Sequence, residues 1–187
     1  MHGKQPDLTL TDGEVVLSPL RLDDAAAHLA GEDAELVRWL NGGPGTRATV
    51  DAHLRWCEEQ WETLGPVRAF GVRVAAGAVL AGTIEVQFGQ AGLAPGQVNI
   101  AYGLYPAWRG RGLATRAVLL ACRYAARAGA AEAVIRAEPE NAASVAVARR
   151  CGFGYLGRSV EDDGARLDWF VRGLAASDPA PAGPAGV

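Results

Sequence analysis

Glycines and arginines cluster in residues 105–115, where an apolar stretch that predicts a strand leads into an alanine- and leucine-rich stretch that predicts a helix. The first turn of a helix carries backbone N–H groups without intrahelical partners and the positive end of the helix dipole, so it attracts phosphate groups. Gly110 and Gly112 remove side chains that would block a ligand. Arg109 and Arg111 add donors suited to phosphate oxygens. The turn therefore predicts a binding site for a phosphorylated ligand.

The elements that hold this turn follow from the hydrophobic periodicity of the rest of the chain. Residues 79–88 and 97–105 alternate apolar and polar side chains, as strands with one buried face do. The apolar positions of residues 49–64 recur at spacings of three and four, which is typical of a helix. In chain order, the predicted elements are a strand at 14–20, one or two short helices over 23–40, a helix at 49–64, strands at 67–75, 79–88 and 97–105, a helix at 111–128, a strand at 132–138, a helix at 141–151, and strands at 153–160 and 165–173.

This order predicts an α/β fold, with a mixed, mostly antiparallel twisted sheet of about seven strands flanked by about four helices. The strands on either side of the helix at 111–128 form one crossover unit, so we expect them to run parallel. We expect one domain over residues 1–174, with its first 13 residues frayed, and a disordered tail rich in alanine, proline and glycine over residues 175–187. The glycine turn would then lie beyond the carboxyl end of a strand, where open sheets bind ligands.

Composition excludes several classes of function. The chain has 187 residues, a formal net charge of −3 and no basic stripe, so we expect no direct nucleic-acid partner. It shows neither the roughly 18 consecutive apolar residues of a membrane span nor a signal pattern, so we expect no membrane contact and a cytoplasmic location. The cysteines and histidines have no metal-ligand spacing, so no metal is expected, and we interpret His53 and Cys57, one helical turn apart, as packing residues.

Two ordered motifs resemble the GNAT superfamily of N-acyltransferases. Arg109-x-x-Gly112-x-Ala114 after a strand is similar to the acyl-CoA pyrophosphate loop of that superfamily, and Asn141–Phe153 is similar to the helix and Gly-Phe turn that follow its next strand. The resemblance implies a GNAT-like fold and acetyl-CoA as the cosubstrate. The residues that it implies for cofactor binding are Leu104, Tyr105, Arg109, Gly110, Arg111, Gly112, Leu113, Ala114, Thr115, Asn141 and Ser144. We add Arg149, since the charged pair Arg149-Arg150 could hold the adenosine phosphates, and the alternative is a solvated helix face.

The second motif also indicates a branch of the superfamily. Many members place a tyrosine, which can protonate the departing CoA thiolate, where this chain has Ala148. A serine three positions after the asparagine resembles the RimJ/RimL-like enzymes, which acetylate ribosomal-protein N-termini, and implies Ser144 as the thiolate partner. Asn141 and Ser144 share one face at the start of a helix, so both can point at the sulfur. The alternative is that Ser144 only caps the helix by binding its backbone.

The acceptor side carries weaker signals. Direct acyl transfer needs a neutral amine and a polarised thioester carbonyl, so the residues mainly position the reactants and move protons. Glu85, on the polar side of a strand, is the candidate general base, and the alternatives are a solvated or ion-paired glutamate or an ordered water as the base. The candidate acceptor-binding residues are Trp39, Glu85 and Asp168. A backbone N–H near Leu104 would polarise the carbonyl if the strand splays from its parallel neighbour there.

Together these features predict an acetyl-CoA-dependent N-acetyltransferase that transfers acetyl directly, in a ternary complex, to a primary amine, in the first place the α-amine of a protein or peptide. A small amine such as an aminoglycoside or a polyamine remains an alternative acceptor, because the acidic residues of segment 58–62 would suit it equally well. A non-catalytic acyl-CoA-binding sensor remains a second alternative, because Ala148 replaces the tyrosine. A homodimer is also left open.

Overall fold

Eight strands form one mixed sheet in the computed structural model, which describes residues 8–74 and 76–175. The strands are β1 (Leu10–Thr11), β2 (Val16–Pro19), β3 (Val67–Val74), β4 (Val79–Phe88), β5 (Gln97–Leu104), β6 (Glu132–Ala137), β7 (Gly154–Val160) and β8 (Arg166–Gly173). Their order across the sheet is β1-β2-β3-β4-β5-β6-β8-β7. Neighbouring strands run antiparallel except β5 and β6, so the predicted mixed, mostly antiparallel sheet is confirmed.

Helices cover both faces of this sheet. They are α1 (Ala25–Gly31), α2 (Ala34–Leu36), which continues as a π-helical turn over Val37–Asn41, α3 (Arg47–Glu62), α4 (Leu113–Arg127) and α5 (Ala142–Arg150). One apolar cluster packs the sheet against α4 and α5, with Ile84 and Val118 at its centre. A second cluster packs the other face against α1 and α3 through Leu54 and Ala69. Within the described ranges, no helix is long and apolar enough to span a bilayer.

The predicted elements are confirmed in type and order, and the differences lie at their ends. Helix α4 begins at Leu113 because Gly112 takes a left-handed conformation as its N-cap. The expectation that the first 13 residues fray is wrong for β1, which pairs with β2 and buries Leu10. Two residues are too few to show the alternation that identifies a strand. Residues 1–7, and the predicted tail from residue 176 onward, lie outside the described residues.

The parallel strands β5 and β6 separate after three residue pairs, and this opening positions the site. Their last pair is Asn99 with Val134. Beyond it β5 continues to Leu104 beside β4, while β6 continues beside β8. The expected parallel crossover is therefore confirmed, and a gap opens between the carboxyl ends of the two strands, next to the turn that begins α4.

Candidate active site

A cleft of about 530 Å³ lies where β5 and β6 separate. The α2 segment with its π-helical turn forms one wall, and the starts of α4 and α5 form the other. The residues predicted from sequence that line it are Trp39, Leu104, Arg109, Gly110, Gly112, Leu113, Ala114, Thr115, Asn141 and Ser144. The predicted residues that do not line it are Tyr105, Arg111, Arg149, Glu85 and Asp168.

The turn before α4 leaves room for an anion. Gly110 and Gly112 have left-handed φ angles of 73° and 76°, and a Cβ atom on either would meet no other atom within 4 Å. Gly112 is the N-cap of α4 and offers no side chain, so the first N–H groups of the helix are not capped. These groups stand at the positive end of a 15-residue helix and can bind phosphate oxygens.

Arg109 is engaged by protein groups. Its NH1 and NH2 donate to the two carboxylate oxygens of Asp33 at 2.7 and 2.8 Å, and NH1 also contacts the Glu35 carboxylate. Its Nε donates to the Leu104 carbonyl at 3.0 Å. The hydrogen bonds from Arg109 lower the pKa of the Asp33 carboxyl below its usual value. Arg109 therefore fastens the start of α2 to the end of β5, and its charge is already balanced.

Other arginines at the cleft differ in what they contact. Arg150 lines the cleft, and among the described residues its side chain makes no hydrogen bond or ion pair. Arg111 is exposed and places its guanidinium 5.0 Å from the centre of the Trp108 ring. Arg149 is also exposed but lies outside the cleft. The sequence paired Arg150 with Arg149 as candidates for the adenosine phosphates, and of the two only Arg150 lines the cleft.

The start of α5 brings two hydroxyl groups together in the cleft. Asn141 accepts a hydrogen bond from the Ser144 N–H at 3.0 Å, so Asn141 is the N-cap of α5. The Ser144 Oγ lies 3.0 Å from the Tyr102 hydroxyl, which also donates to the Ser144 carbonyl at 3.2 Å. Burial raises the pKa of Tyr102 above its usual value, so its hydroxyl keeps its proton at neutral pH. Ala148 is fully buried and does not line the cleft.

Leu104 presents its backbone to the gap between β5 and β6. The Tyr105 N–H donates to the Ala81 carbonyl at 2.9 Å, on the β4 side. Because the backbone N–H groups of successive strand residues point to opposite neighbouring strands, the Leu104 N–H points away from β4. Arg109 binds the Leu104 carbonyl, which belongs to the following peptide, and so helps to hold the end of β5. Tyr105 itself is buried, and its hydroxyl lies 2.9 Å from Nδ1 of His28 rather than in the cleft.

A second cavity, of about 620 Å³, adjoins the cleft and shares Leu40 with it. Glu85 lines this cavity together with His28, His53 and Glu32. The Oε2 atom of Glu85 accepts a hydrogen bond from Gln87 at 2.7 Å, and its Oε1 atom lies 4.0 Å from Nε2 of His53. The remaining lining residues include the glycine-rich 41–45 turn and the amides of Asn41, Gln87 and Asn99. This cavity, which we call the second cavity, is polar.

Two predicted acceptor residues lie outside this cavity. Asp168, on β8, is buried and forms two hydrogen bonds with Arg158, at 2.7 and 3.0 Å. Those hydrogen bonds lower the pKa of the Asp168 carboxyl. Trp39 lines the first cleft rather than the second cavity, and the Arg38 guanidinium lies 4.1 Å from the centre of the Trp39 ring. The acidic residues of segment 58–62 line neither cavity.

Two site residues, Tyr102 and His28, were not predicted from the sequence. Tyr102 occupies an inward position of β5 that is otherwise aliphatic, and a lone tyrosine in such a row was the available signal. No local pattern marked His28, because its position depends on how α1 packs on the sheet.

Comparison with known proteins agrees with this geometry. A family model described as acetyltransferase (GNAT) domain matches residues 14–154 of the chain. No curated protein sequence matches it significantly.

Solved structures with a similar fold include RimL, a ribosomal-protein α-N-acetyltransferase in complex with coenzyme A. It is 18% identical with a TM-score of 0.77, over 91% of this chain and 100% of that one. A probable GNAT acetyltransferase from Chromobacterium violaceum is 25% identical with a TM-score of 0.75, and the match covers 95% of this chain and 92% of that one. A microcin C7 self-immunity acetyltransferase in complex with acetyl-CoA and AMP is 16% identical with a TM-score of 0.73, and the match covers 87% of this chain and 93% of that one. The fold is therefore GNAT-like, and because the family model covers most of the chain, the chain is an acyltransferase that belongs to the GNAT family of acetyltransferases.

Proposed function

We propose that the protein is an acetyl-CoA-dependent N-acetyltransferase that acts on the α-amine of a protein or peptide by direct transfer in a ternary complex. The observation that carries the proposal is the separation of β5 from β6 beside a helix whose N-terminus is uncapped. At that point the Leu104 N–H, which points away from β4, can bind the thioester carbonyl of an acyl-CoA. The N–H groups at the start of α4 can bind the pyrophosphate of the same molecule. Acetyl-CoA supplies the activated acetyl group, and the chain positions it and moves the protons.

The donor is held by backbone more than by charge. The first turn of α4 binds the pyrophosphate, and Gly110 and Gly112 keep the approach open. Arg150 and Arg111 lie where they can reach the outer phosphates, since neither is neutralised by a carboxylate in the described part of the chain. Arg109 is a positioning residue that holds the turn and the Leu104 peptide, because two carboxylates already occupy its guanidinium.

The Leu104 N–H stabilises the oxyanion that forms on the thioester carbonyl, and Glu85 accepts the amine proton through a water molecule. Glu85 pairs with Ala101, three residues before Leu104 on β5. At about 3.4 Å per residue this places Glu85 roughly 10 Å along the strand from the oxyanion donor. A general base must lie within hydrogen-bond reach or act through one water, so this separation favours the water-mediated route.

Ser144 and Tyr102 protonate the departing CoA thiolate. Ser144 lines the donor cleft, and its Oγ is in hydrogen-bond contact with the Tyr102 hydroxyl. When Ser144 gives its proton to the sulfur, Tyr102 passes its own proton to the Ser144 Oγ, and water in the cleft returns a proton to Tyr102, so the pair acts as one donor. This arrangement takes over the role that a tyrosine at position 148 would have, since Ala148 is buried away from the cleft.

The second cavity, which is the acceptor cavity of this proposal, suits a peptide N-terminus. Its two carboxylates, Glu32 and Glu85, outnumber its one arginine, Arg136, and favour a cationic amine as it enters. The amides of Gln87 and Asn99 form a hydrogen-bonded row with Glu85 and make this wall polar. The similarity of fold to a ribosomal-protein α-N-acetyltransferase supports the same substrate class. The competing acceptor is a small amine, which the same two carboxylates would also attract.

A matched panel of acceptors separates the two classes. We would measure thiol release and the acetyl mass increment with a peptide that has a free α-amine, the same peptide with a blocked N-terminus and an internal lysine, a polyamine, and an aminoglycoside. Acetylation of the free peptide alone is the expected result. Turnover with the polyamine or aminoglycoside and none with the peptides would refute the proposed acceptor, and binding of acetyl-CoA without turnover of any amine would refute catalysis.

A further inference from the structure

Three side chains of different chemistry meet at one side of the acceptor cavity, which His53 and Glu85 line and behind which Cys57 is buried. His53 and Cys57 lie one turn apart on α3, and Glu85 reaches them from β4. The Cys57 Sγ is 3.6 Å from Nε2 of His53, which is 4.0 Å from Oε1 of Glu85. All three ligand atoms lie within 4.8 Å of one another. We call these residues the His-Cys-Glu cluster.

We propose that the His-Cys-Glu cluster binds a divalent transition metal ion of the Zn²⁺ class. A thiolate, an imidazole and a carboxylate are the three ligand types that Zn²⁺ takes in proteins. A tetrahedral zinc with bonds of about 2.3 Å to sulfur and about 2.0 Å to nitrogen sets those two atoms about 3.5 Å apart, which matches the observed separation. The Glu85 carboxylate, 4.0 Å from Nε2 of His53, needs only a small side-chain movement to bind the same ion.

The surroundings of the His-Cys-Glu cluster orient its ligands. Gln87 holds Oε2 of Glu85 at 2.7 Å, which leaves Oε1 turned to His53, and Asn99 in turn donates to Gln87 at 2.8 Å. The His53 ring stacks on Trp56, with ring centres 5.9 Å apart and planes 24° from parallel. Such outer contacts, which fix ring and carboxylate orientation, are typical of protein metal sites.

Coordination is balanced without any redox change. Cys57 is buried, and burial together with Glu85 and Glu58 raises the pKa of its thiol to about 12, so the metal-free residue carries a proton. On binding, the S–H bond breaks, the metal–sulfur bond forms and the proton leaves to solvent. Nε2 of His53 uses its lone pair while the proton of that ring stays on Nδ1. Three protein ligands leave a fourth position, and His53 and Glu85 direct it into the cavity.

Occupancy of this site would also inhibit acetyl transfer, a consequence that rests on the proposed function. Glu85 cannot accept the amine proton while it binds a metal ion. The ion would further repel a cationic amine from the cavity. Inhibition by zinc should therefore be competitive with the amine and not with acetyl-CoA.

Cobalt(II) tests the site without relying on activity. We would titrate the full chain with Co²⁺ and record the thiolate-to-cobalt charge-transfer absorption, with Zn²⁺ as the displacing ion. One Co²⁺ per chain and a charge-transfer band are expected for the unaltered chain. Cys57→Ser and Cys57→Ala should abolish the band, and His53→Gln should weaken cobalt binding by about tenfold or more. The matched control is Cys122→Ser, which changes another buried cysteine and should keep the band.

Coenzyme A binding to each variant, measured by calorimetry, verifies that the fold is intact. Absence of the band in the unaltered chain, or its persistence in both Cys57 variants, would overturn the metal site. In the activity arm, Cys57→Ser should keep basal turnover and lose inhibition by zinc, and equal inhibition of both proteins would overturn the inhibitory role. If no amine is acetylated, the proposed function fails while the cobalt result still decides the metal site.

Discussion

Removal of the Tyr102 hydroxyl tests the proton relay in the donor cleft most directly. Tyr102→Phe deletes the group that lies 3.0 Å from Ser144 Oγ and donates to the Ser144 carbonyl at 3.2 Å. Ser144→Ala deletes the other half of the pair. Because the two hydroxyls are proposed to act as one donor, the double variant is the informative one, and a double-mutant cycle measures how strongly they depend on each other.

The expected magnitudes follow from these contacts. Loss of one partly buried hydrogen-bonding hydroxyl should lower the free energy of unfolding by about 1 kcal/mol. Loss of leaving-group protonation should lower kcat by about 100-fold, or about 2.7 kcal/mol of transition-state stabilisation. If either hydroxyl is useless without the other, the double variant should also lose only about 100-fold, which corresponds to a coupling energy of about 2.7 kcal/mol.

The assay is thiol release at saturating acetyl-CoA and amine, with CoA affinity from calorimetry and stability from denaturant titration. The matched control is Tyr124→Phe, because Tyr124 packs edge-on against Trp61 and Phe70 in the core. That variant should keep the kcat of the unaltered chain. Single-variant losses that multiply in the double variant would refute the relay, as would a Tyr102→Phe protein with unchanged kcat.

Other residues give separate outcomes. Asn141→Ala removes the cap of α5 and should lower the free energy of unfolding by about 1 kcal/mol in a denaturant titration, and an unchanged midpoint would contradict its capping role. Arg109→Ala should weaken the binding of acetyl-CoA and of a phosphate-free acetyl-pantetheine to the same extent. Arg150→Ala should raise the Kd of acetyl-CoA alone, by about tenfold, since it removes a charge-assisted phosphate contact. Hydrogen bonds from Arg158 lower the pKa of Asp168 below its usual 3.8, so the stability that they contribute is present above that value and is lost as the pH falls through the folded-state pKa. Thermal unfolding of Asp168→Asn should therefore depend less on pH below about 4 than that of the unaltered chain, and identical acid profiles would refute the assignment.

Much of the fold could be predicted because its signals are local. Alternation along β4 and β5 and helical spacing along α3 each involve residues close in the chain, and the structure confirms these elements. The strand β1 escaped prediction because two residues carry no period, and its pairing with β2 depends on burial of Leu10 against the sheet. Element ends depended on single backbone conformations, as at Gly112.

The sequence by itself determined the turn and the helix starts that line the first cleft. The glycine turn, the start of α4 and the asparagine and serine of α5 are each contained within a few residues, so their spacing already expresses their geometry. Helix N-termini and left-handed glycines behave in the same way wherever a chain places them. This is why the cleft contains most of the residues that were predicted to bind the donor.

Only the tertiary structure decided which distant groups meet. Arg109 contacts Asp33, 76 residues away, so a residue that looked like a phosphate ligand holds the turn instead. Tyr102 meets Ser144 across 42 residues. Glu85 closes on His53 and Cys57, which the spacing alone had indicated to be packing residues. The physical reason is the same in each case: strand order and helix packing set these contacts, and they depend on the burial of apolar faces along the whole chain rather than on any local pattern.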